Sequence, residues 1–137
     1  MRDRGSAGRE LAIAIVIAIL LLALIRGQAL AWSDDDYVRS VIVAAANRHG
    51  IGSWALVTVA ECESELNPYA VGAEGEFGIF QIHPAGLARE YWRRGYTSSW
   101  SVWQQADFAA SMFAAGHATK WSCYHTEVLG RRPPWWR

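Results

Sequence analysis

The chain has 137 residues, 52% of them hydrophobic, and carries 13 basic and 13 acidic side chains, so its formal net charge is zero. This length suits a single domain. The neutral charge gives no electrostatic reason to expect nucleic-acid binding. We expect a monomer without a cofactor.

An apolar run from Leu11 to Ile25 follows a basic N-terminus, and the sequence Ala-Leu-Ala at 29–31 comes after it. This order is typical of a secretory signal, which would be removed after Ala31. Alternatively, Arg26 snorkels to the membrane surface and residues 1–31 remain as an anchor. Either reading predicts export, so that the following domain is secreted, membrane-anchored or, in a viral protein, carried on the virion.

Residues 32–126 are predicted to form one mainly α-helical domain, because apolar side chains recur at helical spacing and glycines end the repeats. Ser53 is expected to cap the second helix, and Ser101 with Gln104 to form a capping box at the fourth. The glycine-rich stretch 70–80 is expected to be a loop or a poorly formed hairpin. The predicted helices run from Ser33 to Gly50, from Trp54 to Ser64, from Pro84 to Arg94 and from Val102 to Ala115, and residues 127–137 form a basic and aromatic tail.

Glu63 lies at the end of the apolar helical run WALVTVAEC. Burial and the negative end of the helix dipole both raise the pKa of a carboxyl group there. Cleavage of a glycosidic bond needs an acid that is still protonated near neutral pH. Taken alone, Glu61, Glu63 and Glu65 would be read as a solvated helix end. The motif that follows them in the sequence favours a catalytic acid at Glu63, with Glu61 and Glu65 pointing to solvent.

Three nearby residues are candidates for binding substrate. Gly78 would let a sugar approach the backbone, and Gln81 would hydrogen-bond to hydroxyl and N-acetyl groups. Ser64 would either orient Glu63 or bond to a backbone group at the helix end. His83 is expected to be structural.

The order of these residues resembles that in the lysozyme-like lytic transglycosylases. Their pattern Glu-Ser-x-x-x-Pro is similar to residues 63–68, and their Gly-x-x-Gly motif, followed by glutamine and proline, is similar to residues 75–84. The triplets at 62–64 (Cys-Glu-Ser) and 121–123 (Trp-Ser-Cys) are also similar to the resuscitation-promoting factors of the same superfamily. The resemblance covers about residues 34–124.

The resemblance implies a small lysozyme-like domain with an irregular hairpin or loop over its cleft. It also implies cleavage of the β-1,4 bond between MurNAc and GlcNAc in peptidoglycan. A single glutamate would suffice, and the product would be a 1,6-anhydro end.

Two departures from the family pattern keep alternatives open. Glu76 stands where the family usually has a small residue, so a hydrolysing lysozyme with Glu76 as second carboxylate is one alternative; Glu74 and Asp107 are further candidates. The family's Tyr-Asn-x-Gly segment is absent, and Tyr91 and Trp92 are expected to contact substrate in its place. A non-catalytic cell-wall binding protein is the other alternative.

Cys62 and Cys123 are the only cysteines, and in a small exported domain such a pair is expected to form a disulfide. No metal site is expected, since no histidine pattern accompanies them. The tryptophans divide by expected role: Trp92, Trp100 and Trp103 are candidates for the cleft, and Trp54 and Trp121 for the core.

Overall fold

The computed structural model of the protein describes residues 13, 15–17 and 34–131. The chain divides into two units, 1–32 and 33–137. Residues 13 and 15–17 are helical, and the rest of the predicted signal or anchor, with its cleavage site, lies outside the described residues, as do 132–137 of the tail. Among the residues described, no helix has the length and apolarity needed to cross a bilayer.

The second unit is mainly helical, as predicted. A short antiparallel hairpin lies between the second and third helices, where bridges pair Val71 with Phe77 and Phe77 with Ile82. The helices are α1 (Asp34–Arg48), α2 (Ser53–Ser64), α3 (Leu87–Arg93) and α4 (Val102–Ala114), followed by a 3-10 turn (Ala118–Lys120) and a π-helical turn (Tyr124–Val128).

The starts of two helices differ from the prediction. Ser53 is the first residue of α2 and not its cap, because Gly52 occupies the cap position and no side chain bonds there. α3 begins at Leu87 and not at Pro84, because the chain first makes a turn in which the carbonyl of His83 accepts the N–H of Gly86 at 3.2 Å.

The predicted capping box of α4 is half right. The hydroxyl of Ser101 accepts the backbone N–H of Gln104 at 3.3 Å, which confirms the cap. The side chain of Gln104 does not return to Ser101. Its Oε1 accepts the N–H groups of Thr97 and Ser98, both at 2.9 Å, and so holds the preceding loop against the first turn of the helix.

The core lies between α1, α2 and α4, with the residues after the hairpin packed into it. Trp121 is buried as predicted, and its indole N–H donates to the carbonyl of Phe80 at 2.7 Å. The core position predicted for Trp54 is wrong, since 67% of this residue is exposed. Leu56 and Val59 face the core, and Trp54 lies on the opposite side of the same helix.

A disulfide joins Cys62 in the last turn of α2 to Cys123 after the 3-10 turn, with a Cα–Cα distance of 5.9 Å. The predicted pairing is therefore confirmed. The bond closes a loop of 61 residues and ties the C-terminal segment to the helix that carries Glu63.

We expect the Cys62→Ser/Cys123→Ser variant to be less stable by about 4 kcal/mol, because the unfolded chain gains the freedom that the 61-residue loop had lost. Urea unfolding of oxidised wild type and of the variant measures the difference. Reductant should lower the stability of the wild type and leave the variant unchanged. Equal unfolding midpoints for the two proteins would contradict a stabilising role for the bond.

Candidate active site

An open cavity of about 370 Å³ lies beside the C-terminal end of α2. The residues that line it include Glu63, Glu76, Gln81, His83 and Lys120. Three separate parts of the chain therefore meet here: the end of α2, the hairpin region and the 3-10 turn.

Glu63 is partly buried in this cavity. Burial raises the pKa of its carboxyl group above the ordinary value, and the nearby charge of Glu76 raises it further. The backbone N–H of Cys123, which donates to Oε1 of Glu63 at 3.4 Å, acts in the opposite direction. Burial is the largest of the three effects, so Glu63 retains its proton to higher pH than a solvated glutamate.

An unusual turn follows Ser64, the last residue of α2. Glu65 and Leu66 both have positive φ angles, 54° and 64°, a conformation that costs a residue with a side chain about 1–2 kcal/mol. Leu66 is buried, and this burial offsets part of the cost. Glu61 and Glu65 are exposed, as predicted, and Glu61 pairs with Arg39 at 2.6 Å.

The side chain of Ser64 forms hydrogen bonds with backbone carbonyls and not with the side chain of Glu63. Its hydroxyl donates to the carbonyl of Ile79 at 2.8 Å, and it also lies 3.3 Å from the carbonyl of Ala60. Of the two roles expected for Ser64, the structure shows hydrogen bonding to the backbone at the helix end. The bond fixes the end of α2 against the segment that follows the hairpin.

The structure gives Gly78 a packing role, and the substrate contact predicted for it stays a prediction. Gly78 is buried and has a φ angle of 75°. Its Cα faces the side chain of Gln105, and an added Cβ would overlap that amide group. Glycine is needed here for the close approach of α4.

Gln105 is a residue that the sequence did not single out. It is fully buried; its Oε1 accepts the N–H of Ile79 at 2.7 Å, and its Nε2 donates to the carbonyls of Pro68 at 3.1 Å and Ser99 at 2.6 Å. The available signal was a glutamine inside an apolar helical repeat, next to the buried Ala106.

Gln81 lines the cavity, as its predicted role requires. Its Nε2 donates to the carbonyl of Gly78 at 2.9 Å, and its Oε1 has no hydrogen-bond partner among the described residues. A Cβ on Gly72 would lie 2.7 Å from this Oε1 and would overlap the carboxyl group of Glu76. Gly72 thus allows the two side chains to lie side by side.

Glu76 is held by its own loop, where its Oε2 accepts the N–H of Glu74 at 2.9 Å. Nδ1 of His83 accepts the N–H of Ala85 at 3.1 Å, so Nε2 carries the proton. Nε2 then donates to Oε2 of Glu74 at 2.8 Å and lies 3.8 Å from Oε1 of Glu76. The three side chains bring possible metal ligands within 4.8 Å of one another, and Nε2 would have to release this proton to bind a metal ion.

Tyr91 does not line the cavity, so its predicted contact with substrate gains no support from this structure. Its ring is fully buried between other aromatic side chains, and its hydroxyl donates to the carbonyl of Ser98 at 2.7 Å. Trp92 is 45% exposed and stacks on Phe77 with the ring centroids 5.7 Å apart. Its contact with substrate stays a prediction.

The other candidates lie away from this cavity. Trp100 is adjacent to Tyr69, and Trp103 lies beneath the guanidinium group of Arg48. Asp107 accepts hydrogen bonds from Arg48 at 2.8 Å and from Tyr96 at 2.7 Å. It is therefore a structural carboxylate, and it does not fit the role of a second catalytic group.

Residues 40–119 match the transglycosylase SLT domain, and this match covers more than half of the chain. The chain belongs to the SLT transglycosylase family. Searches of curated proteins and of solved structures returned no significant match. The matched region of this SLT domain includes Glu63, Glu76 and Gln81, and it ends one residue before Lys120.

We expect Glu76→Gln to lower the pKa of Glu63, because it removes a negative charge that favours the protonated form of the neighbouring carboxyl. Carboxyl ¹³C NMR titration of Glu63 measures the change. Glu65→Gln removes the same charge at an exposed position and should leave the Glu63 titration nearly unchanged. An unaltered Glu63 titration in Glu76→Gln would show that the two carboxyl groups do not interact.

Proposed function

We propose that this SLT domain is a peptidoglycan lytic transglycosylase that cleaves the β-1,4 bond between MurNAc and GlcNAc with Glu63 as its acid and base. The observation that carries the proposal is a partly buried carboxyl group with a raised pKa at an open cavity. Membership of the family supports the reaction class.

The Glu63 carboxyl group would act twice. It first gives its proton to the glycosidic oxygen as the bond to the muramic C1 breaks, and positive charge develops on that sugar. The 6-hydroxyl of the same sugar then attacks C1 and passes its proton to the Glu63 carboxylate. This closes the 1,6-anhydro ring, restores the acid and consumes no water.

One contact of Glu63 and one neighbouring side chain suit this role. The N–H of Cys123 holds Oε1, so Oε2 is left to carry the proton towards the substrate. The nucleophile is already part of the bound sugar, and an intramolecular attack needs no ordered water. Gln81 offers its free Oε1 to a hydroxyl or N-acetyl N–H of the substrate.

Peptidoglycan lies outside the cytoplasm, so the activity requires export. We propose that residues 1–31 direct it, either as a cleaved signal or as an anchor, and that residues 32–126 act as a monomeric catalytic domain without a cofactor. The π-helical turn continues to Val128, two residues past that boundary, and the remaining tail would follow it.

Hydrolysis with Glu76 is the second candidate, and one observation favours it. Glu76 lines the same cavity as Glu63 and its charge raises the pKa of Glu63. In a hydrolase, Glu76 would activate a water molecule or attack C1 itself.

Glu63→Gln should lower the rate of lysis of purified sacculi by about 10²–10⁴-fold, because the amide keeps the size of the side chain but has no proton to give. Thermal melting of the variant checks that the fold is kept. Glu61→Gln and Glu65→Gln are matched controls on the exposed side and should retain most activity. If the Glu63→Gln variant lysed sacculi as fast as the wild type, Glu63 would have no part in the mechanism. If the wild type bound glycan strands but did not cleave them, the protein would be a wall-binding protein.

Digestion of sacculi in H₂¹⁸O separates the two reactions. Transglycosylation gives anhydro ends that are lighter by one water and contain no ¹⁸O, and Glu76→Gln should keep substantial activity. Hydrolysis gives reducing ends that carry ¹⁸O. Labelled reducing ends, together with an inactive Glu76→Gln variant, would replace the transglycosylase proposal by the lysozyme one.

A further inference from the structure

The cavity at Glu63 continues into a second one. The neighbouring cavity has a volume of about 530 Å³, and the two share His83, Leu87 and Lys120 as lining residues. Glu63 and Glu76 line only the first cavity. Together the two form a groove that runs from the carboxyl groups past Lys120, and each cavity is within the range of volumes typical of ligand sites.

Lys120 is the only lysine of the chain. Its side chain is exposed, and its ammonium group makes no hydrogen bond or ion pair with any residue that the structure describes. Several other cations of the domain are paired, among them Arg39 with Glu61 and Arg94 with Glu90. A free positive charge therefore lies at the junction of the two cavities.

The backbone that carries this charge is held in place. The N–H of Lys120 donates to the carbonyl of His117 at 3.0 Å, and the next residue, Trp121, is buried and bonded to Phe80. Cys123 then enters the disulfide. The position of Lys120 relative to Glu63 is thus fixed by contacts that do not depend on a ligand.

The charge varies along the groove. The two carboxyl groups of the first cavity disfavour an anion beside them, whereas Lys120, at the junction of the two cavities, attracts one. In a peptidoglycan strand every second sugar bears an acidic lactyl ether or the peptide attached to it. A strand held for cleavage at Glu63 carries such a group on the muramic sugar at the cleaved bond.

We propose that Lys120 binds a carboxylate of the substrate and so makes the groove selective for strands that contain muramic acid over neutral N-acetylglucosamine oligomers. This inference rests on the proposed function.

Binding is measured by calorimetry with the full chain carrying Glu63→Gln, so that no ligand is cleaved. The ligands are strands stripped of peptide, which carry free lactyl carboxylates, strands with intact peptides, and neutral N-acetylglucosamine oligomers. At low salt, adding Lys120→Met should weaken binding of an acidic strand about fivefold and leave the neutral oligomer unaffected. Lys120→Arg should restore binding, and added salt should reduce the difference.

The pattern of loss identifies the bound group. If Lys120→Met weakens binding of stripped strands, the bound group is the lactyl carboxylate. If it weakens binding of peptide-bearing strands only, the bound group is a carboxylate of the peptide. Arg89→Met removes an exposed charge outside the groove and is the matched control, which should bind like the parent. With active protein, Lys120→Met should raise KM and leave kcat unchanged.

Equal affinities of Lys120→Met and its parent for both acidic strands would overturn the proposal, as would an equal loss on the neutral oligomer. These binding measurements do not require cleavage. If the wild type did not cleave sacculi but Lys120→Met still weakened binding of acidic strands, only the proposed reaction would be refuted.

Discussion

The buried amide of Gln105 is the interaction on which the site depends. It satisfies one N–H and two carbonyls from three loops that have no regular partner of their own. A buried backbone group left without a hydrogen bond costs about 1–3 kcal/mol. Because the segment around Ile79 makes no continuous ladder with another strand, α4 has to supply this bond through a side chain, and Gly78 provides the space for it.

The same segment is attached to two further parts of the domain. The carbonyl of Ile79 accepts the hydroxyl of Ser64 at the end of α2, and the carbonyl of Phe80 accepts the indole N–H of Trp121. The hairpin, the acid-bearing helix and the C-terminal turns therefore form one connected unit. The depth of Glu63, and with it the raised pKa, follows from the way these parts enclose the end of α2.

The sequence predicted the features that depend on local rules. Glycines ended helices where a positive φ angle is needed, as at Gly50 and Gly95, and an apolar repeat predicted α2 up to Glu63. The cysteine pair was predictable from its number and context. The family motif placed Glu63 and Gln81 in one region, and the structure shows both lining one cavity.

The features that the sequence did not predict depend on packing between residues that are distant along the chain. The packing of Gly78 and Tyr91 against α4 was not predicted, because a motif does not record the direction of a side chain. Trp54 was assigned to the core by its type, but its place on the helix is on the outer side. Gln105 was missed because its three partners lie 6, 26 and 37 residues away along the chain.

The position of the disulfide has a consequence for where the protein can work. Cys62 precedes the acid in sequence, and Cys123 gives its backbone N–H to that same acid. A reducing compartment keeps thiols unpaired, whereas an oxidising one allows the bond to form. We therefore expect the position of the Glu63 carboxyl group to depend on the redox state of its surroundings. In a reducing compartment the disulfide would be absent, and the Cys123 N–H would fix this carboxyl group less rigidly than in an oxidising one.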